Sequence, residues 1–549
     1  FDDEIWTYER TNKAANTLAK YLVSRGVKHS DRVVLFMQNR PDYIVTLLAL
    51  NKIGAIGVLI NSSLTGDPLI HCVNSSESSL CIVGAELAPA IEEVLNELSV
   101  KGNDKFLWVS DGDSYTKPDW CINLRSDIDT SDDANLEETN YVKAKDTAFY
   151  IFTSGTTGVP KAAIFPNVKI VAASTNISTG GYRMDHTDCM YNCLPLYHST
   201  GLMLGLCACV RVGASTLIKR KFSASSFWRE ASEFNTTLFV YVGELCRYLA
   251  NQEPNEFEEN NPIRAMVGNG LRPDLWDAFR NRFNVEMICE IYGASEGNAL
   301  FMNLLNKEKT IGMTNVDVEL IKYDVAEDSI FKDSNNKYQK VEFGKPGLLI
   351  NKISDNSIFN GYTDPKESEK KVLRNVFDEG DAWFNTGDLI QEIDVGYALG
   401  RRHFQFVDRI GDTFRWKSEN VSTNEVAEIL NGHSSISMAN VYGVKVPNAE
   451  GRAGMAAFTL DDNESINWAD LSDFVNKNLP KYARPVFIRI ISEVDTTGTF
   501  KLKKNELREE GYDINKHGDE IYFMMPNTDQ YKKLDHEWND RINSGQAGY

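Results

Sequence analysis

Basic residues, long apolar runs and paired cysteines are all scarce in this sequence, and each shortage excludes a class of protein. Lys and Arg number 58 against 78 Asp and Glu, so the formal net charge of the 549 residues is −20. A surface of that sign repels nucleic acid and anionic lipid headgroups over most of its area. We therefore expect no nucleic-acid partner, although a local basic groove for a nucleotide stays compatible with this charge.

Apolar runs long enough to cross a membrane or to form a signal peptide are absent. The nearest candidate is Gly201–Ile218, but Arg211 interrupts it, and we expect a buried helix followed by a strand there. Because the sequence begins with Phe1 and not with Met, we also expect its natural N-terminus to lie upstream, which leaves an anchor before Phe1 open. Peripheral membrane association is an alternative that the sequence does not decide.

The nine cysteines are odd in number and include no repeated CxxC pair with zinc spacing. Several lie in apolar runs such as Leu202–Val210, where a free thiol packs as a small apolar side chain. These features favour reduced, buried thiols over a disulfide framework or a zinc site. The sequence therefore predicts a protein of a cytoplasmic type of compartment.

Strand and helix patterns alternate through the first part of the chain. The apolar run Val33–Met37 is followed by the helical pattern of Tyr43–Ile53 and by a second run, Ile56–Asn61. Such alternation predicts β-α-β units on a parallel sheet. Ligands collect at the carboxyl ends of such strands, so we expect the motifs that follow them to converge on one cleft. Further strands are predicted at Leu80–Gly84, Lys105–Ser110, Thr147–Thr153, Ala214–Ile218, Thr237–Val242, Ile263–Val267 and Val285–Ile291.

Two polar stretches, and a change in the pattern of predicted elements, divide the chain. Asp111–Lys145 is predicted to be a surface excursion and Val316–Val341 a hairpin excursion. After about Asp408, a turn-rich segment leads into helices and strands that suit a small α+β domain. We therefore predict a large N-terminal domain at residues 1–408 and a small C-terminal domain at residues 409–549.

The segment Tyr150–Lys161, YIFTSGTTGVPK, is the strongest functional signal. Its glycines let backbone N–H groups approach an anion, its Ser and Thr hydroxyls add donors, and Lys161 adds a positive charge. This combination suits a polyphosphate. The loop is not a Walker A motif, because the required Gly-Lys-Ser/Thr is absent.

With that loop, the chain resembles the adenylate-forming superfamily of acyl-CoA synthetases, luciferases and peptide-synthetase adenylation domains. The resemblance implies an α/β fold with a large N-terminal domain of β-α-β sheets and a small, mobile α+β C-terminal domain. It implies that ATP, Mg²⁺ and coenzyme A are used. It also implies that the phosphates of ATP are bound by loop residues, namely Thr153, Ser154, Gly155, Thr156, Thr157, Gly158 and Lys161.

Four further motifs match the superfamily in the expected order: Ile291–Glu296, Thr386–Asp388, Asp408–Arg409 and Thr497–Lys501. The resemblance implies a role for each motif. These roles are adenine contact for Tyr292 and Gly293, the α-phosphate for Ser295, Mg²⁺ for Glu296, the ribose hydroxyls for Asp388, ribose and phosphate for Arg409, and catalysis for Lys501.

The implied reaction needs these residue types and no general base. A substrate carboxylate, already a nucleophile at neutral pH, attacks the α-phosphate of ATP, and pyrophosphate leaves. Negative charge grows on the phosphoryl oxygens, so Lys501, Thr156 and the Mg²⁺ on Glu296 act by electrostatic stabilisation and positioning. We accordingly nominate no Ser/His/Asp triad. The thiolate of coenzyme A then attacks the mixed anhydride.

Longer strings resemble one branch of the superfamily, the fatty acid transport proteins and very-long-chain acyl-CoA synthetases. The resemblance implies a fatty or other bulky apolar acid as substrate, bile acids included. It assigns His198 to the carboxylate or acyl pocket, Gly268, Asn269 and Gly270 to the border of adenine and the acyl tunnel, and Gly411 to the hinge. A structural histidine and ordinary turn glycines are the alternatives. The strings are Leu194–Ser199, Lys221–Ser225, Val242–Leu249, Gly268–Arg272 and Gly411–Lys417.

Three functions are open at this stage. The first is an ATP-dependent ligase that makes long- or very-long-chain acyl-CoA, with a bile-acid or other bulky-acid ligase as a variant. The second is a fatty acid uptake protein in which acylation traps the imported acid. The third is an adenylating enzyme with another acceptor, or an inactive relative, although Lys161, Glu296, Asp388, Arg409 and Lys501 argue against inactivity. Chain-length preference and oligomeric state cannot be obtained from the sequence.

Overall fold

A computed structural model describes the chain as two compact units. Unit 1 comprises Phe1–Glu308, Gly312–Val316 and Ile353–Val372, and unit 2 comprises Lys309–Ile311, Asp317–Lys352 and Leu373–Tyr549. Unit 2 thus contains the whole predicted small domain together with strands that precede it, and the domain boundary after residue 408 stays a prediction. The structure describes residues 1, 4–112, 114–153, 160–324, 329–410, 412–416, 419–449, 451–460, 466–492, 504–526, 528–547 and 549.

Unit 1 is built from alternating strands and helices. Its strands are β1 (Arg32–Phe36), β2 (Ile56–Leu59), β3 (Leu80–Gly84), β4 (Phe106–Val109), β5 (Ile122–Asn123), β6 (Thr147–Thr153), β7 (Lys161–Pro166), β8 (Cys189–Asn192), β9 (Ser215–Ile218), β10 (Leu238–Val242), β11 (Ala265–Asn269), β12 (Met287–Tyr292) and β13 (Phe301–Met302). Its helices are α1 (Tyr8–Ser24), α2 (Pro41–Lys52), α3 (Gly66–Ser75), α4 (Ala88–Val94), α5 (Leu124–Asp127), α6 (Asn167–Asn176), α7 (Ala208–Val212), α8 (Phe227–Glu233), α9 (Gly243–Ala250), α10 (Pro273–Asn281) and α11 (Pro365–Glu369).

The strands of unit 1 form two sheets that are mostly parallel. One has the order β5-β4-β3-β1-β2-β6-β7, with β7 antiparallel to β6, and the other has the order β13-β12-β11-β10-β8-β9, with β13 antiparallel to β12. Strands buried on both faces are continuously apolar, and β3, for example, is buried at every residue. The predicted β-α-β architecture of the large domain is therefore confirmed.

Two stretches of unit 1 differ in detail from the sequence prediction. The predicted surface excursion Asp111–Lys145 contains β5 and α5, so part of it joins the sheet region. The predicted helix and strand at Gly201–Ile218 are present as a π-helical segment, Thr200–Cys207, followed by α7 and β9. Of the helices within the described ranges, none combines the length and the apolar character that crossing a bilayer requires.

Unit 2 contains two main sheets. Its strands are β14 (Val318–Ile321), β15 (Tyr323–Asp324), β16 (Ser329–Ile330), β17 (Gly347–Lys352), β18 (Val372–Arg374), β19 (Ala382–Ile393), β20 (His403–Arg409), β21 (Phe414–Trp416), β22 (Glu419–Val421), β23 (Ile436–Val444), β24 (Ala453–Leu460), β25 (Phe487–Ile490), β26 (Glu520–Met524) and β27 (Tyr531–Lys533). Its helices are α12 (Thr423–Leu430), α13 (Trp468–Asn478), α14 (Asn505–Glu510) and α15 (His536–Asn543).

The first sheet of unit 2 has the order β14-β17-β19-β18, with β20 also paired to β19, and the second has the order β23-β24-β25-β26-β27. The second sheet packs with α12 and α13 around an apolar core that includes Val426, Leu471 and Phe487. The side chains of Ser422 and Asn467 cap the first turns of α12 and α13. The predicted hairpin excursion Val316–Val341 contains the small β15-β16 pair, but its first part is β14 of the main sheet.

Candidate functional site

The predicted phosphate loop connects two antiparallel strands of unit 1. Strand β6 ends at Thr153 and β7 begins at Lys161, and these two residues are direct partners in the ladder. The Thr153 hydroxyl also donates to the Lys161 carbonyl oxygen at 3.4 Å. The two ends of the predicted phosphate loop therefore lie side by side. Between these ends, the assignments to Ser154, Gly155, Thr156, Thr157 and Gly158 lie outside the described residues.

Lys161 forms an ion pair with Glu367 at α11, and Lys370 pairs with the same carboxylate. The side chains of Lys161 and Glu367 are each about one-fifth exposed. Hydrogen bonds from the two lysines, Lys161 first, lower the pKa of Glu367 to about 2. In this structure the predicted phosphate-binding lysine thus has a carboxylate as its counter-ion. Glu367 was not identified from the sequence.

Tyr362 joins the two ends of the loop to the predicted magnesium ligand. Its neighbours Gly361 and Thr363 pair with β7: Ile164 N–H donates to the Gly361 carbonyl at 3.2 Å, and Thr363 N–H donates to the Ala162 carbonyl at 2.9 Å. Burial first, and then the Glu296 carboxylate, raise the pKa of the Tyr362 phenol well above its usual value.

The phenol of Tyr362 also interacts with Thr153, and the Lys161 ammonium lies 5.9 Å from the centroid of its ring. The side chains of Thr153, Lys161 and Glu296, all in unit 1, therefore lie together around Tyr362. All three residues were predicted as ATP or metal ligands, whereas Tyr362 was missed.

Lys169 on α6 fixes the loop that carries Glu296. Its ammonium donates to the Ser295 carbonyl at 2.6 Å and to the Gly297 carbonyl at 3.1 Å, so it bonds to the main chain on both sides of Glu296. It also lies 4.6 Å from the centroid of the Phe165 ring. Burial lowers the pKa of Lys169 to about 8, and the Glu296 carboxylate partly offsets this effect. No motif in the sequence marked this lysine.

The predicted adenine-side residues follow the carboxyl ends of neighbouring parallel strands. Strand β11 ends at Asn269 and β12 ends at Tyr292, and Gly268 is the direct partner of Glu290 between them. Gly270 has a φ of +82°, a conformation that favours glycine. The glycine turn and the Tyr292–Gly293 segment therefore begin at the same sheet edge, as the sequence predicted for motifs that follow parallel strands.

His198 lies beyond the carboxyl end of β8, which is parallel to β10 in the same sheet. Its N–H donates to the Pro195 carbonyl at 3.2 Å, and its carbonyl accepts from Leu202 N–H at 3.0 Å, so it lies just before the π-helical segment Thr200–Cys207. The preceding loop is held by buried Asn39, whose side chain donates to the Leu194 carbonyl and accepts from Leu196 N–H.

In unit 2, the two predicted ribose residues are brought together. Asp388 on β19 and Arg409 on β20 are direct ladder partners, and the Arg409 Nε donates to the Asp388 Oδ1 at 3.1 Å. The Asp388 side chain is 5 % exposed, whereas that of Arg409 is 47 % exposed. The Thr386 hydroxyl accepts from Asp388 N–H at 3.1 Å and donates to the Leu349 carbonyl at 2.8 Å. Two further assignments, hinge Gly411 and catalytic Lys501, lie outside the described residues.

Asp408, next to Arg409, has a structural role because its carboxylate connects two elements of unit 2. Its buried carboxylate accepts from Thr423 N–H at 2.7 Å and from the Asn424 side chain at 3.2 Å, at the start of α12. It also accepts from the main-chain N–H of Arg409 at 2.9 Å. Burial raises the pKa of Asp408 despite these bonds. Asp408 therefore joins β20 to the start of α12, and the Arg409 side chain bonds to Asp388.

Comparison with known proteins supports the family resemblance that the sequence motifs indicated. The AMP-binding enzyme family model matches residues 1–362, and the AMP-binding enzyme C-terminal domain matches residues 425–501. The long-chain fatty acid transport protein 6 of Mus musculus is 39 % identical, over 100 % of this chain and 88 % of its own length. The medium/long-chain-fatty-acid–CoA ligase FadD6 of Mycobacterium tuberculosis is 37 % identical, with the same coverages.

Solved structures share the fold at low sequence identity. The anthranilate CoA ligase AuaEII, in complex with anthranoyl-AMP, has a TM-score of 0.75 at 20 % identity, with 92 % of each chain covered. ATP-bound MatB from Rhodopseudomonas palustris has a TM-score of 0.74 at 18 % identity, covering 92 % of this chain and 94 % of its own. The predicted α/β fold of adenylate-forming enzymes is therefore confirmed. The chain belongs to the AMP-binding enzyme family, in the branch that contains the long-chain fatty acid transport proteins.

Proposed function

We propose that the protein is an ATP-dependent fatty acid–CoA ligase that forms an acyl-AMP intermediate and releases AMP and pyrophosphate. The observation that carries the proposal is the cluster of Thr153, Lys161 and Glu296 around Tyr362 in unit 1. It supplies a cation and a carboxylate beside a loop rich in Gly, Ser and Thr, which suits a metal-bound polyphosphate. The names of the full-length relatives point to fatty acids as the acyl substrate.

The residues present fit Mg²⁺ and ATP. Mg²⁺ prefers carboxylate and phosphate oxygens and keeps several waters, so a single protein carboxylate such as Glu296 suffices when the phosphates supply further ligands. When bound, the ion neutralises charge that develops on the phosphoryl oxygens. Asp388 accepts hydrogen bonds from the ribose hydroxyls, and Arg409, already paired with it, adds a positive charge near ribose and phosphate.

The protein's part in the reaction is positioning and electrostatic stabilisation. The acid attacks the α-phosphate as a carboxylate, and the negative charge on the phosphoryl oxygens is stabilised by Lys501 and Thr156. Lys161 holds the departing pyrophosphate, and Tyr292 with Gly293 orients adenine. His198 faces the acid, beside the apolar segment Thr200–Cys207. The thiolate of coenzyme A then attacks the carbonyl carbon of the anhydride, and AMP leaves.

Long- and very-long-chain fatty acids are the proposed substrates, with uptake coupled to acylation as the second candidate. The name of the transport-protein relative favours that second candidate. A cytoplasmic location with peripheral membrane contact belongs to the same proposal. All nine cysteines are described, and each is free, which suits a reducing compartment.

AMP release with acids of increasing chain length and with a bile acid, with and without coenzyme A, tests this function. We expect turnover that depends on coenzyme A and is strongest with long fatty acids. Absence of AMP with every acid contradicts the ligase. Accumulation of acyl-AMP that coenzyme A does not relieve favours another acceptor. Uptake into liposomes that persists without ATP favours a transporter.

Replacing Glu367 with Gln is expected to lower the KM for ATP. Glu367 is the counter-ion of Lys161, so the phosphates compete with it for the ammonium. Because ion pairs that solvent still reaches are weak, we expect a decrease of only about 2- to 5-fold, with kcat little changed. Steady-state kinetics at varied ATP measures it. Glu369→Gln, at an exposed position two residues along α11, is the matched control. An unchanged or raised KM in Glu367→Gln contradicts the competition.

A further inference from the structure

Glu290 on β12 is a buried carboxylate to which the proposed reaction gives no role. The residue is 5 % exposed. Its Oε1 accepts hydrogen bonds from Gly270 N–H and from Leu271 N–H, the latter at 3.1 Å, and its Oε2 bonds to the Tyr241 hydroxyl. One carboxylate thus holds two successive N–H groups of the turn after β11.

The three strands β10, β11 and β12 are arranged so that this contact forms. Tyr241, Gly268 and Glu290 lie side by side in the parallel ladder. A Cβ on Gly268 would lie 2.1 Å from the Tyr241 carbonyl oxygen and 2.7 Å from its Cγ. The phenol therefore reaches across Gly268 to Glu290 because Gly268 has no side chain. This gives the glycine a packing reason besides any contact with a ligand.

The turn itself is tightly packed against α9. A Cβ on Gly243, the first residue of α9, would lie 1.7 Å from the Gly270 carbonyl oxygen. The main chain of the turn is therefore held on one side by Gly243 and on the other by Glu290. The Glu290 side chain is therefore in direct hydrogen-bond contact with the main chain of Gly270 and Leu271.

Titratable groups on three elements interact with Glu290 in the described part of the chain. These groups are Tyr241 on β10, Cys246 on α9 and Cys289 on β12. Burial raises the pKa of Glu290 to about 8, although the hydrogen bonds from Tyr241, Leu271 and Gly270 act in the opposite direction. A protonated carboxyl still accepts from both N–H groups through Oε1 while its O–H donates to the Tyr241 oxygen.

We propose that Glu290 is a positioning residue whose buried carboxyl group fixes the Gly268–Leu271 turn for ATP binding. The proposal rests on the proposed function, in which this turn borders adenine and the acyl tunnel. Loss of the proton puts a negative charge on a side chain that is 5 % exposed, and burial disfavours the charged form there. The turn then loosens or admits water, and ATP binds less tightly.

Glu290→Gln tests the proposal because glutamine is neutral at every pH, keeps the Oε1 acceptor and donates to Tyr241. The KM values for ATP of each protein are compared with its own value at pH 7. Above about pH 8, the wild-type KM for ATP should rise by up to about tenfold per pH unit, the limit for one proton, while that of the variant rises less. Lys169 titrates in the same range but is present in both proteins, so their difference isolates Glu290.

Urea unfolding of the same two proteins gives a readout that does not depend on activity. The folded state keeps the Glu290 proton up to about pH 8, whereas the unfolded state releases it near the ordinary value of 4.5. Between these pH values the unfolded state binds fewer protons, so the free energy of unfolding of wild type falls relative to Glu290→Gln as the pH rises. Above about pH 8 the difference becomes constant.

Parallel pH profiles of unfolding for the two proteins, or equal KM values for ATP above pH 8, would overturn the proposal. Glu286→Gln, at an exposed position just before β12, is the matched control and should behave as wild type in both measurements. Glu290→Ala removes the acceptor altogether and is expected to raise the KM for ATP at pH 7 by about tenfold or more. Failure of wild type to turn over ATP with any acid refutes the proposed function instead, and leaves the unfolding profiles to decide the ionisation of Glu290.

Discussion

Lys501→Ala is expected to lose about 100- to 1,000-fold in the rate of acyl-AMP formation, because removing one preorganised donor to a charged transition state has that effect in other enzymes. Negative charge develops on the α-phosphate oxygens during attack by the acid, and the ammonium of Lys501 is the proposed partner for it. Thioester formation does not build this charge in the same way. The variant should therefore convert chemically prepared acyl-AMP and coenzyme A to acyl-CoA at a rate close to that of wild type.

Lys503→Ala is the matched control, since it removes the same charge two residues away. It should retain acyl-AMP formation within a few-fold of wild type, because no catalytic role is assigned to it. Single-turnover measurement of acyl-AMP, and of acyl-CoA from added acyl-AMP, separates the two half-reactions for each variant. Equal losses in Lys501→Ala and Lys503→Ala, or a loss confined to the second half-reaction, contradict the assignment of Lys501.

The parallel strands could be predicted from the sequence, and β3 and β6 were predicted to the residue. β3 is buried at every residue, as expected for a strand covered on both faces, and β6 contains the apolar run Ala148–Phe152. The first sheet of unit 2 was not predicted. Its longest strand, β19, includes Thr386-Gly387-Asp388, and a glycine within a strand pattern indicates a turn or bulge. The register of β19 does shift nearby, where it pairs with β20 between Leu389 and Ile390.

The site could be predicted only where a motif carries it. Lys161, Glu296 and Asp388 were nominated because each belongs to an ordered string of residues, and their roles stay predictions. Glu367 and Lys169 were not, because their contacts join segments that are far apart in sequence. The Lys161–Glu367 pair spans 206 residues, and the bond from Lys169 to Ser295 spans 126. The order of the strands in the sheets brings such distant residues together. That order cannot be obtained from the sequence motifs.

Glu296→Gln is expected to lower kcat/KM for ATP by about 100-fold or more and to raise the Mg²⁺ concentration needed for half-maximal rate. The amide keeps the size of the side chain but loses the charge that the metal requires. Lys169 should still hold Ser295 and Gly297 in the variant, since it bonds to their main-chain carbonyls. The loop therefore keeps its position, and the decrease in kcat/KM measures the effect of removing the carboxylate itself.

Titration with Mg²⁺ distinguishes a metal ligand from a residue that acts only through its neighbours. If Glu296 binds the ion, excess Mg²⁺ partly restores the rate of Glu296→Gln, because a weakened site fills by mass action. Glu308→Gln, at an exposed position of the same unit, should keep the wild-type Mg²⁺ dependence. A fall in kcat with an unchanged Mg²⁺ dependence would mean that the carboxylate acts by orienting Tyr362 beside Thr153, and would remove Glu296 from the metal site.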